Sequence, residues 1–320
     1  MNPVLPDEAV EFSAAAAKAF AALGGVDAAR RAEEDPTTRA QEVAGALRAL
    51  GTEDLDPRDG PEALAAAAAL CEAAGRCALP YPVAGTLLAG QDGRPFAVVP
   101  DRTARVDHGD LFGEWRVARL AGPATVATAT AEARPLGTRL GPFVTDLVET
   151  GTADGDAADE DAAGGGVAND LVLHLTLTAC SVLGTVDRAV ELAVDHVNGR
   201  IQFGKPIAAF QSVQFALADA SVAVSGLREL AHYTLWRPSL VDALALRVQA
   251  LDVARSVLRT TQQLHGAAGV CDEYDISVLI RLVQPALRLP WGAERTAEEL
   301  AGAIARDGFD GLFEHGGAAG

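Results

Sequence analysis

The chain has 320 residues, 49% of them apolar, and a formal net charge of -18. That charge repels a nucleic-acid backbone and an anionic membrane surface, so neither is an expected partner. The length exceeds one typical domain, and the apolar fraction fills a large core, which predicts two or three packed units.

Cys71, Cys77, Cys180 and Cys271 show no paired metal-ligand spacing, so no metal site is expected and the thiols read as small buried hydrophobes. With no basic-then-apolar leader after Met1, the natural setting is a reducing cytoplasm. No run of eighteen or more apolar residues occurs, and no membrane span is expected.

From Asp7 to about Gly24, Val10, Phe12, Ala16, Phe20 and Leu23 recur every three or four residues, the pattern of an amphipathic helix. Arg39 to Leu50 and Pro61 to Cys77 repeat it, the second opened by a proline suited to a first turn. A short helical stretch over Val83 to Leu88 completes an N-terminal helical unit, residues 1–89. Residues 90–150 change character. Phe96 to Val99, Glu114 to Leu120, Ala124 to Ala131 and Phe143 to Val148 are short β-branched and aromatic runs between glycines and prolines, a small strand-rich unit.

Gly151 to Gly166 mixes Asp154, Asp156, Asp159, Glu160 and Asp161 with alanine and glycine, too polar to bury a core. It reads as a mobile acidic linker, residues 151–168, and lacks the alternating ligands of a calcium loop. Residues 169–306 return to long helices: Asp170 to Asn198, Ser212 to Trp236, Leu240 to His265, Ile276 to Leu287 and Glu294 to Arg306. Short connections make them antiparallel neighbours in a bundle. A glycine-rich tail, 307–320, closes the chain.

One stretch interrupts this bundle with unusual chemistry. Gly199 to Gln211 gathers Arg200, Gln202, Phe203, Lys205, Phe210 and Gln211 around Gly204 and Pro206, a helix-stopping loop rich in cations, amides and rings. Lys18 and Lys205 are the only lysines in a chain that otherwise uses arginine. A guanidinium fork grips a pyrophosphate, a ring packs on a purine or flavin edge, and amides fix hydrogen-bond polarity. Taken alone, Arg200 and Phe203 read sooner as residues that tie a helix–helix turn together, and it is the complete pattern that reverses this.

The full pattern, Arg-x-Gln-Phe-Gly-Lys-Pro-Ile-x-x-Phe-Gln, resembles the flavin-contacting loop of the acyl-CoA dehydrogenase family. A second segment, Gln263-Leu-His-Gly-Ala-Ala-Gly followed by Glu273, resembles that family's Gln-x-x-Gly-Gly-x-Gly segment in the expected order. The resemblance covers the helical half, 169–306, and implies a mainly α, acyl-CoA dehydrogenase-like fold: an N-terminal helical domain, a reduced middle β region and a C-terminal four-helix bundle. It implies FAD as cofactor, met across a subunit interface by Arg200, Gln202, Phe203, Ile207 and Phe210, with Gln263 and Gly266 adding an amide and a close backbone approach.

Glu273 falls where the resemblance implies a catalytic base that removes the α-proton of an acyl-CoA thioester, a task helped by partial desolvation. Beside Asp272 and Asp275 it also reads as an ordinary solvated carboxylate, and both readings stand. Some relatives carry the base on the helix before the loop, which corresponds here to His174. For His174, His196 and His265 a core role is favoured.

The Thr-Glu-Pro-type segment with which the family's middle domain holds its own flavin is missing from the sequence. Ala267 replaces a family glycine, and Trp291-Gly-Ala-Glu stands where Glu-Gly-Thr is common. The resemblance therefore implies one subunit of a heterotetramer, paired with a homologous acyl-CoA dehydrogenase subunit, similar to actinobacterial enzymes acting on steroid side-chain CoA thioesters. Its electrons would pass to an electron-transfer flavoprotein. The alternatives are a self-sufficient homo-oligomeric dehydrogenase with Glu273 as base, and a noncatalytic scaffold subunit.

Overall fold

The computed structural model describes residues 6–100, 104–119, 126–131, 140–152 and 166–308. Eleven helices occur among them: α1 Asp7–Ala22, α2 Val26–Glu34, α3 Arg39–Ala49, α4 Pro61–Arg76, α5 Val83–Leu87, α6 Gly166–Gly199, α7 Gln211–Trp236, α8 Leu240–His265, α9 Asp275–Leu282, α10 Gln284–Arg288 and α11 Ala293–Asp307. The strands are β1 Phe96–Val98, β2 Arg105–Val106, β3 Glu114–Ala118, β4 Val126–Ala131, β5 Thr145–Thr152, β6 Ile201–Gln202 and β7 Lys205–Pro206.

Helix α6 is the axis of the molecule. Its apolar residues point in nearly every direction, from Leu171, Leu175 and Leu177 to Val182, Leu183 and Val186. Such a helix must be covered all round, and α4, α7 and α8 do so. It is the one described helix long and apolar enough to cross a membrane, and 56% of its most apolar window is buried against the rest of the chain. The alternation of polar and apolar residues hides that property from a search for uninterrupted apolar runs.

Contact between α4 and α6 is made by backbone. A Cβ on Gly75 would sit 1.9 Å from the Ser181 carbonyl, and one on Gly184 would sit 1.9 Å from the Glu72 carbonyl. Each helix thus offers a glycine to the other's main chain, and the Thr185 hydroxyl donates to the Gly75 carbonyl at 3.0 Å. Around this crossing, Arg76 binds Asp187 and Glu191, while Arg228 of α7 binds Glu72 at 2.5 Å and Asp187 at 3.0 Å.

The sheet runs in the order β1-β3-β4-β5-β2, with β1 parallel to β3 and the other pairs antiparallel. Trp115, Val117, Ala97, Val99 and Leu147 form its own core. Two joints fix it to the helices. At the start of α6, buried Asp170 takes a two-pronged grip from Arg58, at 2.6 and 3.0 Å, and a third bond from Arg116 of β3 at 3.3 Å. At the other joint Arg39 of α3 is 1% exposed, lies 4.0 Å over the Phe143 ring, binds Asp110, and donates to His108 Nδ1 at 2.7 Å. Burial and the Arg39 charge both push the His108 imidazole well below its usual range, as the accepted hydrogen bond requires. Next to it, burial pushes the Asp107 carboxyl up to about 7.

Several expected elements change. The helix expected to Gly24 ends at Ala22, because Gly24 and Gly25 both adopt positive φ, and the separate helix α2 follows. Val10, expected on the buried stripe, is 52% exposed, while Ala9 is buried. The single helix expected over Ile276 to Leu287 is divided at Val283, since Pro285 opens the first turn of α10. Strand β5 runs to Thr152 and α6 begins at Gly166, so the acidic linker is shorter than expected and its residues 153–165 lie outside the described residues. The tail beyond 308 also lies outside them. Cys71 and Cys180 are buried as expected, whereas Cys271 is exposed.

Gly184→Ala is expected to lower unfolding free energy by about 3 kcal/mol in urea titration, because two backbones must part to admit one methyl. Gly226→Ala in α7, where a new Cβ meets nothing within 4 Å, should raise stability by about 0.5–1 kcal/mol. For Asp107 the native state binds the proton more tightly than the unfolded chain, so its contribution to stability declines as pH rises from about 4 through about 7. Relative to wild type, Asp107→Asn should therefore gain about 1–2 kcal/mol between about pH 4 and about pH 8, read from paired denaturant titrations.

Candidate functional sites at the two ends of the central helix

The loop between α6 and α7 is a built object. Ile201 pairs with Pro206 and Gln202 with Lys205 as a two-stranded hairpin, and the turn residues Phe203 and Gly204 have φ of 52° and 78°. A pair of positive φ values makes the tight turn that suits the twist of a hairpin, and glycine takes it without strain. Phe203 takes it at a cost. Two-residue strands leave no periodicity to read, which is why the sequence shows only a loop there.

Nearly all of this arm faces outward. Arg200, Gln202 and Lys205 are exposed, Ile201 is 56% exposed and Phe203 91%. Phe210 anchors the arm, with the Phe203 ring edge-on at 6.2 Å and the Lys205 ammonium 4.4 Å over its face. Ile207 sits half-buried in the 3-10 turn at the arm's base, where its N–H donates to the Arg200 carbonyl at 2.9 Å. Neither Arg200 nor Lys205 has a carboxylate partner among the described residues, in a chain with an excess of carboxylates.

The second segment reaches the same end of the molecule. His196, at the last turn of α6, stacks on His265, at the last residue of α8, with ring centroids 4.5 Å apart, and Tyr274 meets His196 edge-on. Gln263 is exposed on that last turn, and Gly266, with φ of 60°, turns the chain out of α8. Glu273 lies exposed on the following turn. Its neighbour Asp272 is tied to Arg281 at 2.7 Å, and Asp275 to Arg30 at 2.9 Å, so α2 and α9 hold this turn in place. Arg200, Gln202, Phe203, Ile207, Phe210, Gln263, Gly266 and Glu273 thus share one end of the bundle.

An apolar cavity lies away from this end. A space of about 170 Å³ opens between α4, α5, the sheet, the first half of α6 and the segment around α10. Its walls are mostly apolar, with Leu79, Val83, Phe96, Trp115, Phe143 and Pro285 among them, and the α4–α6 crossing forms one side through Cys71, Gly75, Ser181 and Thr185. Polar groups enter at a few points: His174 and Thr178 from α6, and Arg105, Asp107 and His108 from the sheet side. At 1.5 Å per residue, His174 and Arg200 are roughly 39 Å apart along one helix axis. Glu273 does not line the cavity.

His174, read from the sequence as a core histidine, is packed edge-on against Phe96 at 5.7 Å, and its Nδ1 is buried with no hydrogen-bond partner. Burial and the nearby Arg247 charge press its pKa down to about 4. Arg247 is itself 2% exposed and binds the carbonyls of Ala286, Leu289 and Trp291, which shapes the segment after α10. The role of Arg247 has no sequence signature, since its partners are main-chain atoms. No group of three or more metal-ligating side chains occurs among the described residues.

Residues 171–295 match the family model for the acyl-CoA dehydrogenase C-terminal domain. Acyl-CoA dehydrogenase IpdE2 of Mycolicibacterium smegmatis is 30% identical over 105 residues, 33% of this chain and 34% of that protein. The short-chain-specific acyl-CoA dehydrogenase of Megasphaera elsdenii is 34% identical over 104 residues, 31% of this chain and 27% of that protein. The chain thus aligns with about a third or less of the length of these curated relatives. Among solved structures, a chain of the Tcur3481-Tcur3483 steroid ACAD G363A variant superposes with a TM-score of 0.72 at 19% identity, over 95% of this chain and 99% of that one. A chain of the ChsE4-ChsE5 complex from Mycobacterium tuberculosis gives 0.72 at 18% identity, over the same 95% and 99%. At such identities the superpositions establish the fold, and the sequence match establishes the bundle. Residues 171–295 thus match the acyl-CoA dehydrogenase C-terminal domain, and the chain as a whole has the fold of the acyl-CoA dehydrogenases it superposes on.

Proposed function

We propose that this chain is one subunit of a heteromeric, FAD-dependent acyl-CoA dehydrogenase that desaturates the α,β bond of an acyl-CoA thioester, and that its arm serves the flavin of a homologous partner subunit. The observation that carries this is the outward-facing arm, whose Arg200 and Lys205 have no carboxylate partner among the described residues and whose Phe203 is 91% exposed. An arm at the far end of α6 from the chain's own cavity is shaped for something outside the chain.

The donor set fits the adenosine-pyrophosphate part of FAD. Arg200 is placed to hold the diphosphate, Phe203 and Phe210 to pack on the ring system, and Gln202, Gln263 and the Gly266 backbone to fix its edges. When bound, FAD supplies the acceptor for the hydride that leaves the β-carbon. The apolar cavity excludes water from an acyl chain and holds it in one orientation. The likeness to a chain of the two-protein ChsE4-ChsE5 complex supports a paired assembly. The likeness to a steroid ACAD supports a steroid-derived acyl group. An electron-transfer flavoprotein is the acceptor this reading carries.

A base needs partial desolvation, and Glu273 is exposed in this chain. The α-proton is accordingly taken by a carboxylate of the partner subunit. The second reading, Glu273 as base, rests on its place beside Gln263 and Gly266, where a docked partner would cover it.

Co-purification of the chain with its partner subunit tests both. Arg200→Ala should reduce bound flavin, measured by visible absorbance per assembly, at least fivefold. Glu273→Gln should leave turnover within about twofold on this reading, whereas a loss of about 100-fold or more would make Glu273 the base. A yellow, active homodimer would replace the heteromer with the self-sufficient enzyme.

A further inference from the structure

Two spaces meet at Tyr81. Beyond the cavity of about 170 Å³, a second space of about 160 Å³ lies between α3, α4 and α5, with Ala44, Leu47, Leu70 and Leu87 in its walls. Tyr81 and Val83 line both. The second space reaches solvent beside Arg48 and Glu53, an exposed pair joined at 2.9 Å. An apolar cavity of about 150 Å³ takes a single benzene ring, whereas sites for larger molecules begin at roughly 300 Å³. The first space by itself is therefore a one-ring site, and the two joined approach the larger class.

The partition has a fixed base and a loose tip. Pro80 and Pro82 flank Tyr81, its N–H donates to the Leu79 carbonyl at 2.8 Å, and its own carbonyl accepts from the Val83 N–H at 2.9 Å, so the backbone is held on both sides. The side chain has no such tie. Its hydroxyl makes no hydrogen bond among the described residues, and its ring meets Phe112 edge-on at 6.0 Å. Burial raises the phenol's pKa and the Arg48 charge opposes the rise, which places the hydroxyl end within reach of the second space's rim. A half-buried ring without an anchoring hydrogen bond changes rotamer readily.

We propose that Tyr81 is the length gate of the acyl site: its ring closes the first cavity behind a short or single-ring acyl group and swings aside for a longer body, which threads past Val83 into the second space. The inference rests on the reading of the cavity as an acyl site, and adds the residue that sets the length accepted and the route of the far end. The chemistry of that route suits an apolar body. Thr86, also in the second wall, has its hydroxyl committed to the Val83 carbonyl at 3.0 Å, and Arg48 and Glu53 answer each other's charge at the exit.

The test uses the full chain and a series of straight alcohols, 1-hexanol, 1-octanol and 1-decanol, with affinities from titration calorimetry. Six carbons are about one ring's worth of chain, and each further methylene that leaves water is worth about fourfold in affinity. In the wild-type chain 1-decanol should bind at least tenfold more tightly than 1-hexanol, the displaced ring taking part of the full gain. Tyr81→Ala, with no ring to displace, should raise that ratio at least threefold further, and Tyr81→Phe should restore the wild-type ratio. Ala44→Trp, which fills the second space, should bring the ratio below threefold while 1-hexanol still binds. Thr52→Trp does the same from the segment after α3 and serves if Ala44→Trp fails to fold. A wild-type ratio below tenfold, a ratio indifferent to Tyr81→Ala or to the filled second space, or no binding of any alcohol would overturn the proposal. These readouts involve neither thioester, flavin nor the arm, so failure of the flavin test with Arg200→Ala would be seen separately.

Discussion

Two glycines set against two carbonyls hold the centre of this molecule. Gly75 and Gly184 let α4 and α6 approach until backbone meets backbone. That closeness places Cys71, Ser181 and Thr185 on the same cavity wall. It also brings Arg76, Asp187, Glu191, Arg228 and Glu72 into one charged belt around the crossing. Exposed ion pairs contribute little singly, and here their value is in fixing the angle at which three helices meet. The buried Asp170 joint does the corresponding work at the other end of the contact, binding the first helical unit, the sheet and α6 through a single carboxylate.

From that rigid axis the molecule divides its chemistry. The first half of α6 builds a mostly apolar cavity with the N-terminal helices and the sheet. Its last turn carries an arm directed away from the chain. The two parts lie at opposite ends of one helix. The arm, the Gln263 turn and Glu273 form one surface, and the cavity is another.

Much of this was legible in the sequence. The long helices were visible because apolar residues recur at helical spacing, and the arm because Arg200, Gln202, Phe203 and Lys205 together are improbable as a mere connection. The division of the bundle's late helix followed from Pro285, whose effect a count of apolar residues does not register. The cavity was not legible, because its walls come from segments far apart in the chain, and nothing local marks Phe96 as the neighbour of His174. The isolated Nδ1 of His174 and the carbonyl partners of Arg247 are facts of three-dimensional placement. Likewise Asp107 looks like any loop carboxylate until the fold half-buries it beside His108 at the cavity wall.

The hairpin has a kinetic meaning. Its two pairs of residues, its positive-φ turn and its anchoring on Phe210 are already formed in the chain by itself. Docking it therefore requires little further ordering, and the entropy that a floppy loop would lose on association is largely spared. With encounter rates for related interfaces confined to a narrow range, such preorganisation appears chiefly as slow dissociation. In the proposed paired assembly, an arm of this kind would favour slow dissociation over rapid exchange.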